Sequence, residues 1–355
     1  MGDEDMGLLW VDYGEEFQNL VDRSWEIQTG DEKAYFDRLP DRVKKIIYRD
    51  TRYNVDFLYT AYELGEDGVM ENYARWLYRL MEGVVSKKWA NYPMEHYVIR
   101  HFEYMKKAVS EAAGKDKKAE LTRLLTLAQE AVKDEASSEE APDRPSIYEP
   151  EVEAYLQALL DHDMRRCLFL VDRFMERKIP VDSIYVDILA EAMRRVGELW
   201  HHGKISVAAE HYCTSVTRVA MSRMYPAIFA VPRKKKSILC ACPARELHDM
   251  GLRMVADVFE NEGWDTCYLG EAVPPDSILK SIREEKPDVI ALAVTMPQYL
   301  MDCEKLIFDI RKEFPGAKIA VGGRAFASTG HILEKWPVDY YGENAIDLIR
   351  KVNGK

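Results

Sequence analysis

Cysteine is scarce and scattered. The 355-residue chain has six, several inside segments patterned as helix or strand, which argues against a disulfide framework and fits a reducing compartment such as the cytoplasm. Long apolar runs are missing too: no stretch approaches the length of a membrane-spanning helix. The opening residues Met1-Gly2-Asp3-Glu4-Asp5 are too acidic for a signal peptide, and Met1-Gly2 alone is too little to argue lipidation. Positive charge is in deficit, with 49 Lys and Arg against 61 Asp and Glu for a formal net charge of -12. No basic recognition helix stands out, so neither direct nucleic-acid binding nor a membrane surface is expected. The one basic run, Arg233 to Lys236, reads as a solvated lead-in to a strand. What is present is 47% hydrophobic residues, enough for two or three cores.

In the last third, short apolar runs alternate with helical patterns. Ser237 to Cys242 reads as a strand, followed by a helical stripe of Leu252, Met254, Val255, Val258 and Phe259. Thr266 to Leu269 then Pro275 to Glu285, and Val289 to Val294 then Asp302 to Phe314, repeat the unit. Lys318 to Val321 is a fourth strand ending in Gly322-Gly323, and a helix from Ala345 to Val352 closes the chain. This order predicts an α/β, doubly wound, flavodoxin-like parallel sheet over 232–355. Ligands of such sheets sit at the carboxyl ends of the strands. His248, Thr295 and Gly322-Gly323 all fall on that edge. A phosphate-accepting receiver domain shares the topology but needs acids ending its first and third strands. Cys242-Pro243 and Val294-Thr295-Met296 supply none.

The loop Glu246-Leu247-His248-Asp249-Met250-Gly251 joins an acid, a histidine and a glycine. A lone loop histidine is ordinarily just that. An acid two residues away can fix its tautomer and leave the other nitrogen as a metal donor. No further ligands have the spacing of a zinc site, and Cys240-x-Cys242 reads as buried packing. A metal would have to arrive with most of its coordination filled, as in a tetrapyrrole or corrin. Glu246-x-His248-x-x-Gly251, Thr295 and Gly322-Gly323 together resemble the cobalamin-binding domain over roughly the last 120 residues. The resemblance implies His248 as lower cobalt ligand, with the nucleotide tail beside Thr295 and the paired glycines, which lack the Cβ that would block a bulky ligand. Two departures stand: Glu246 replaces the usual aspartate and Thr295 the usual serine. The extra methylene at 246 leaves open where the carboxylate meets His248.

Residues 146–231 are patterned as helix throughout. One stripe is Val152, Tyr155, Leu156 and Leu159, and a second is Cys167, Leu168, Leu170, Val171 and Phe174. A third runs through Ile184, Val186, Ile188, Leu189, Met193, Val196 and Leu199, and a fourth through Val216, Val219, Ala220 and Met224. Short connections make these a four-helix bundle. Gly203 is read as a helix stop and Ser206 as an N-cap, so Trp200, His201, His202, Glu210 and His211 share one end of the bundle. Alone, that cluster reads as a Trp capping the core among solvated histidines. Beside the lower motif, Trp200, nine intervening residues and Glu210-His211 resemble the helical cap of the light-sensing adenosylcobalamin receptors of the CarH type. The resemblance implies Trp200 and Glu210 as adenosyl contacts, His211 as pocket, and His201 as the upper cobalt ligand after illumination. Whether His201 or His202 faces inward stays open.

Residues 1–133 are expected to form an all-α sensor or dimerisation domain, globin-like or related, with stretches near Phe17–Ile27, Glu32–Ile47, Asp50–Leu64, Val69–Val84, Glu95–Ala113 and Lys117–Val132. An acidic linker is expected over 134–145. The domain is crowded with Tyr48, Tyr53, Phe57, Tyr62, Tyr73, Trp76, Tyr78, Trp89, Tyr97 and Phe102. Arg49, Arg52, Arg75 and Arg100 lie among these, with His96 and His101 on one helix. An aromatic core with solvated arginines accounts for these residues. The lesser alternative is that arginines pair with the propionates of a linear tetrapyrrole lying on flat aromatic walls. The layout also resembles the photocobilins, which implies biliverdin as a second chromophore.

Three functions are in play. A cobalamin photoreceptor, not an enzyme, would signal through a protein partner or its own homo-oligomeric state. A corrinoid methyl carrier for a separate methyltransferase would share the lower site but must leave the cobalt's upper face accessible. A light-independent cobalamin sensor would respond to cofactor level.

Overall fold

A computed structural model describes residues 14–84, 93–138 and 145–354. The chain divides into two compact units, Met1–Glu139 with Ser328–Ile332, and Glu140–Ala327 with Leu333–Lys355. Among the described residues no helix is long and apolar enough to cross a membrane.

The first unit is helical: α1 (Glu15–Asp31), α2 (Asp41–Leu64), α3 (Asp67–Val84), α4 (Met94–Ala112) and α5 (Lys118–Ser137), with a single turn at Lys33–Phe36. The expected break between Ile47 and Asp50 is absent, and α2 runs unbroken across it. The interruption falls earlier, at Pro40, which lacks an N–H and clashes with the preceding turn, and which stands as the N-cap of α2. Gly65, at φ +63°, ends α2 in a left-handed turn. Helix α5 also outruns the expected boundary, through residues 134–137 of the acidic stretch, because Glu, Ala and Asp there offer no helix breaker. Trp89, Met1–Asp5 and Glu139–Asp143 of the linker lie outside the described residues.

The second unit opens with α6 (Glu149–Leu160), α7 (Met164–Glu176), α8 (Ala190–His201) and α9 (Val207–Met221). A π-helical segment, Ile184–Leu189, leads into α8. Its wider turn buries Ile184, Tyr185, Ile188 and Leu189 together. Of the apolar residues expected in the bundle core, Val219 is instead 40% exposed.

Five parallel strands follow in the order β2-β1-β3-β4-β5: β1 (Ser237–Pro243), β2 (Asp265–Val273), β3 (Val289–Ala293), β4 (Lys318–Gly322) and β5 (Tyr340–Gly342). This is the flavodoxin-like doubly wound order. Helices α10 (Met250–Asn261), α11 (Pro275–Glu285), α12 (Leu300–Glu313) and α13 (Ala345–Val352) accompany the strands. The fold is therefore a helical N-terminal region followed by a Rossmann-like parallel sheet. Two features were not anticipated. Strand β5, three residues long, is too short to show a period. Strand β2 runs past Gly270 with register shifts against β1. A single apolar cluster joins the inner faces of α6 to α9 with the β1 side of the sheet.

Candidate functional site

The carboxyl edge of β1 is shaped by strained backbone. Ala244 and Ala272 both have positive φ, 58° and 51°, each costing on the order of 1–2 kcal/mol. Ala244 N donates to Val273 O at 3.0 Å, and Ala272 N donates to Glu246 O at 2.9 Å. The loop is thereby clamped to β2 and Glu246 is turned inward, where it is fully buried.

Both Glu246 oxygens are used. Oε1 accepts from His248 N at 2.9 Å and lies 2.6 Å from His248 Nδ1. Oε2 accepts from Thr295 N at 2.7 Å and Met296 N at 2.9 Å. The longer side chain at 246 thus reaches His248 and also ties the β1 loop to the β3 loop. Burial pushes the Glu246 carboxyl up, but the bonds from His248 and Met296 outweigh it and hold the group below its ordinary range. The His248 imidazole, bonded to that carboxylate, is held above its ordinary value, with further contributions from the charges of Glu210 and Asp249. With Nδ1–H donating to Glu246, Nε2 carries the lone pair, and the side chain is 57% exposed.

The glycines divide by role. A Cβ on Gly323, at φ +99°, would overlap the backbone of Val294, and one on Gly322 would meet Gly342 O at 3.0 Å. The pair is therefore demanded by strand packing itself. Gly251 differs, since nothing lies within 4 Å of where its Cβ would stand. All six cysteines are free, Cys240 and Cys242 buried among them. Among the described residues no group of three or more His, Cys, Asp or Glu could hold a metal ion.

At the bundle end, α8 closes in a Schellman turn. Gly203 has φ +64°, Lys204 N donates to Leu199 O at 2.8 Å, and Gly203 N donates to Trp200 O at 2.9 Å. Ser206 caps α9 by accepting from Ala209 N at 3.2 Å. This turn joins the last turn of α8, which carries Trp200 and His201, to the first turn of α9, which carries Glu210. The Trp200 and His201 ring centroids lie 6.4 Å apart. His202 is tied back to its own helix, Nδ1 lying 2.7 Å from Glu198 O. Glu210 accepts from Thr214 Oγ1 at 2.8 Å and sits 2.7 Å from His211 Nδ1. Thr214 was not singled out from sequence, although its position one turn after Glu210 could have suggested it. The two motifs are linked through α9, whose Arg218 donates to Asp249, the residue after His248.

In the first unit, His101 is buried between Asn54 Nδ2, 2.7 Å from Nε2, and Gln28 Oε1, 3.0 Å from Nδ1. Burial lowers its pKa to about 4. Tyr73 donates to Asn54 Oδ1 and stacks on Phe57, ring centroids 3.7 Å apart. Arg100 pairs with Asp31 at 2.7 Å, Arg49 lies 3.9 Å from Asp50, and Arg75 donates to Asn72 at 3.4 Å. His96 is exposed.

Two family models and several known proteins match parts of the chain. A B12 binding domain model matches residues 236–350, and a second B12 binding domain model matches residues 151–225. The HTH-type transcriptional repressor CarH of Myxococcus xanthus is 27% identical over 201 residues, 56% of this chain and 66% of the repressor. The chain thus spans just under two thirds of that relative's length. Dimethylamine corrinoid protein 3 of Methanosarcina acetivorans is 21% identical over 175 residues, 49% of this chain and 82% of that protein. The solved monomethylamine corrinoid protein of Methanosarcina barkeri superposes with a TM-score of 0.50 at 18% identity, covering 57% of this chain and 97% of its own. That likeness speaks for the fold alone.

Proposed function

The chain belongs to the cobalamin-binding, CarH-type family through its helical cap and Rossmann-like domain, and from that premise we propose that it is a light-sensing adenosylcobalamin-binding protein. The observation that supports the reading is that two motifs share one compact unit: His248, oriented by buried Glu246, sits on the loop after β1, and Glu210 sits on α9, whose Arg218 bonds Asp249 of that same loop. The residues fit the cofactor. His248 Nε2 is left as donor, Gly251 leaves room at the start of α10, and Thr295 and Gly322-Gly323 border the same edge. When bound, adenosylcobalamin supplies a cobalt–carbon bond that visible light breaks.

Trp200 would pack against the adenosyl group and Glu210 would accept a hydrogen bond from it, with Thr214 and His211 holding Glu210 in place. Loss of that group would leave Trp200 and Glu210 without the surface they pack against, and His201, in the last turn of α8, would be the residue available to hold the cobalt from the cap side. His202 is the weaker candidate, its Nδ1 being engaged with Glu198 O. The displaced bundle end is the output, since packed interfaces move between discrete arrangements. It is read by a protein partner or by the number of copies in the assembly, without direct nucleic-acid contact. Biliverdin is the finer part of the proposal, a second chromophore on the aromatic surfaces of the first unit.

A methyl-carrier role is favoured by one observation, the 82% of the dimethylamine corrinoid protein that the chain spans. Against it, Trp200 and the Glu210 cluster crowd the face a methyl carrier must open. The relatives named above are a transcriptional repressor and corrinoid proteins, none of them named as an enzyme. The deciding experiment loads the full chain with adenosylcobalamin in the dark and records its spectrum and gel-filtration volume before and after green light. A light-dependent change in both is expected, and an unchanged spectrum ends the photoreceptor reading. Biliverdin added to the same sample should give red absorbance if the second chromophore binds.

A further inference from the structure

Asp249 stands at the N-cap of α10, where an aspartate ordinarily bonds the free N–H groups of its own first turn. It makes no such bond here, with φ -95° and ψ -13°. The residue is only 6% exposed, and its carboxylate serves two other elements. Oδ2 accepts from the Tyr268 hydroxyl of β2 at 2.5 Å, and Oδ1 accepts from the Arg218 guanidinium of α9. The polar seam continues inward. Arg253 lies 4.8 Å over the Tyr268 ring, donates to the Tyr225 hydroxyl at 2.8 Å and pairs with Asp257 at 3.0 Å. Asp257 in turn accepts from Tyr185 of the π-helical segment at 2.8 Å.

The seam joins the cap to the loop that bears the lower ligand. Asp249 directly follows His248, while Arg218 shares α9 with Glu210, eight residues or about 12 Å further along the axis. One charge-assisted bond therefore registers the helix carrying Glu210 against the loop carrying His248. With Asp249 buried and Arg218 46% exposed, it is stronger than an open surface pair. We propose that Arg218 and Asp249 are positioning residues that set the height of the corrinoid slot, and with it the preference for a bulky adenosyl over a small upper ligand. This rests on the adenosylcobalamin reading above.

The test needs no light. The apo full chain is titrated in the dark with adenosylcobalamin and with methylcobalamin, as wild type, Arg218→Met, Arg218→Lys, Asp249→Asn and the Arg218→Met, Asp249→Asn double variant. Apo thermal unfolding is followed alongside. The expected result is that each single variant lowers the adenosyl-over-methyl preference about tenfold, that the double variant lowers it no further, and that Arg218→Lys recovers part of it. Equal losses for both cobalamins, additive losses, or a wild type without preference would overturn the inference. Arg218 is half exposed, so its variant reports even if Asp249→Asn does not fold. A light-inert wild type would end the photoreceptor reading and leave this ratio readable. Photolysis with an unchanged ratio in the variants would remove the latch alone.

Discussion

The two sides of the candidate slot are built differently. Below, Glu246 has no exposure and four hydrogen bonds reach its carboxylate, all from the β1 and β3 loops of one domain. Above, the side chains hang on helix ends. Trp200 and His201 are half-buried in the last turn of α8. Glu210 is held by one hydroxyl and by His211, which is itself 74% exposed. A group satisfied on every side within one rigid sheet resists displacement, whereas a helix end held by a turn and a few polar contacts can change its arrangement at small cost. The contrast assigns the constant part of the proposed switch to His248 and the variable part to the bundle.

Breaking the lower side should have the largest effect. Glu246→Ala leaves the Thr295 and Met296 amides without their acceptor, at on the order of 1–3 kcal/mol each. It also frees the His248 ring, for an expected affinity loss of about 10–100-fold. Denaturant unfolding of the apo chain and dark titration with cobalamin read the two losses separately. If both stay within error, the lower side is not the rigid one. Next comes Gly323→Ala, which forces a Cβ into the Val294 backbone at φ +99°. About 3 kcal/mol of lost stability is expected, visible as a lowered Tm in the apo chain.

The parts of this contrast that sequence revealed are the local ones. Gly203 and Ser206 announced the α8–α9 turn by residue type alone, and the acid beside His248 announced the tautomer. The alternation of strand and helix announced the sheet. What escaped depends on contacts far apart in the chain. The reach of Glu246 to Thr295 and Met296 spans 49 and 50 residues, and no local pattern encodes it. The positive φ of Ala244 and Ala272 arises from clamping β1 to β2, at residues that carry no turn signature of their own. No local pattern around Asp249 points to its partners, and only the folded chain shows its carboxylate turned to Arg218 and Tyr268. The start of α2 turns on a single residue, Pro40, inside the stretch expected to run from Glu32 to Ile47.

The upper side should respond more weakly. Thr214→Val removes the hydroxyl that orients Glu210, a single hydrogen bond worth about 1 kcal/mol. Dark affinity for adenosylcobalamin should fall about fivefold, with methylcobalamin binding unchanged. Equal losses for the two would mean that Thr214 serves only the bundle core.

His201→Ala should have the smallest dark effect of all, because nothing in the proposed dark state uses its imidazole as a ligand. Dark affinity is expected to stay within about twofold, less than 0.5 kcal/mol. The consequence should appear only after illumination, when the upper position has no imidazole to receive and the lit spectrum takes the form of a water-bound species. His202→Ala serves as the companion, since its Nδ1 is engaged with Glu198 O and its loss should leave the lit spectrum as in wild type. The reverse outcome, with His202→Ala altering the lit spectrum and His201→Ala not, would require the end of α8 to unwind after illumination. The difference between a fixed lower and a movable upper side would then be larger than the contacts of the folded chain suggest.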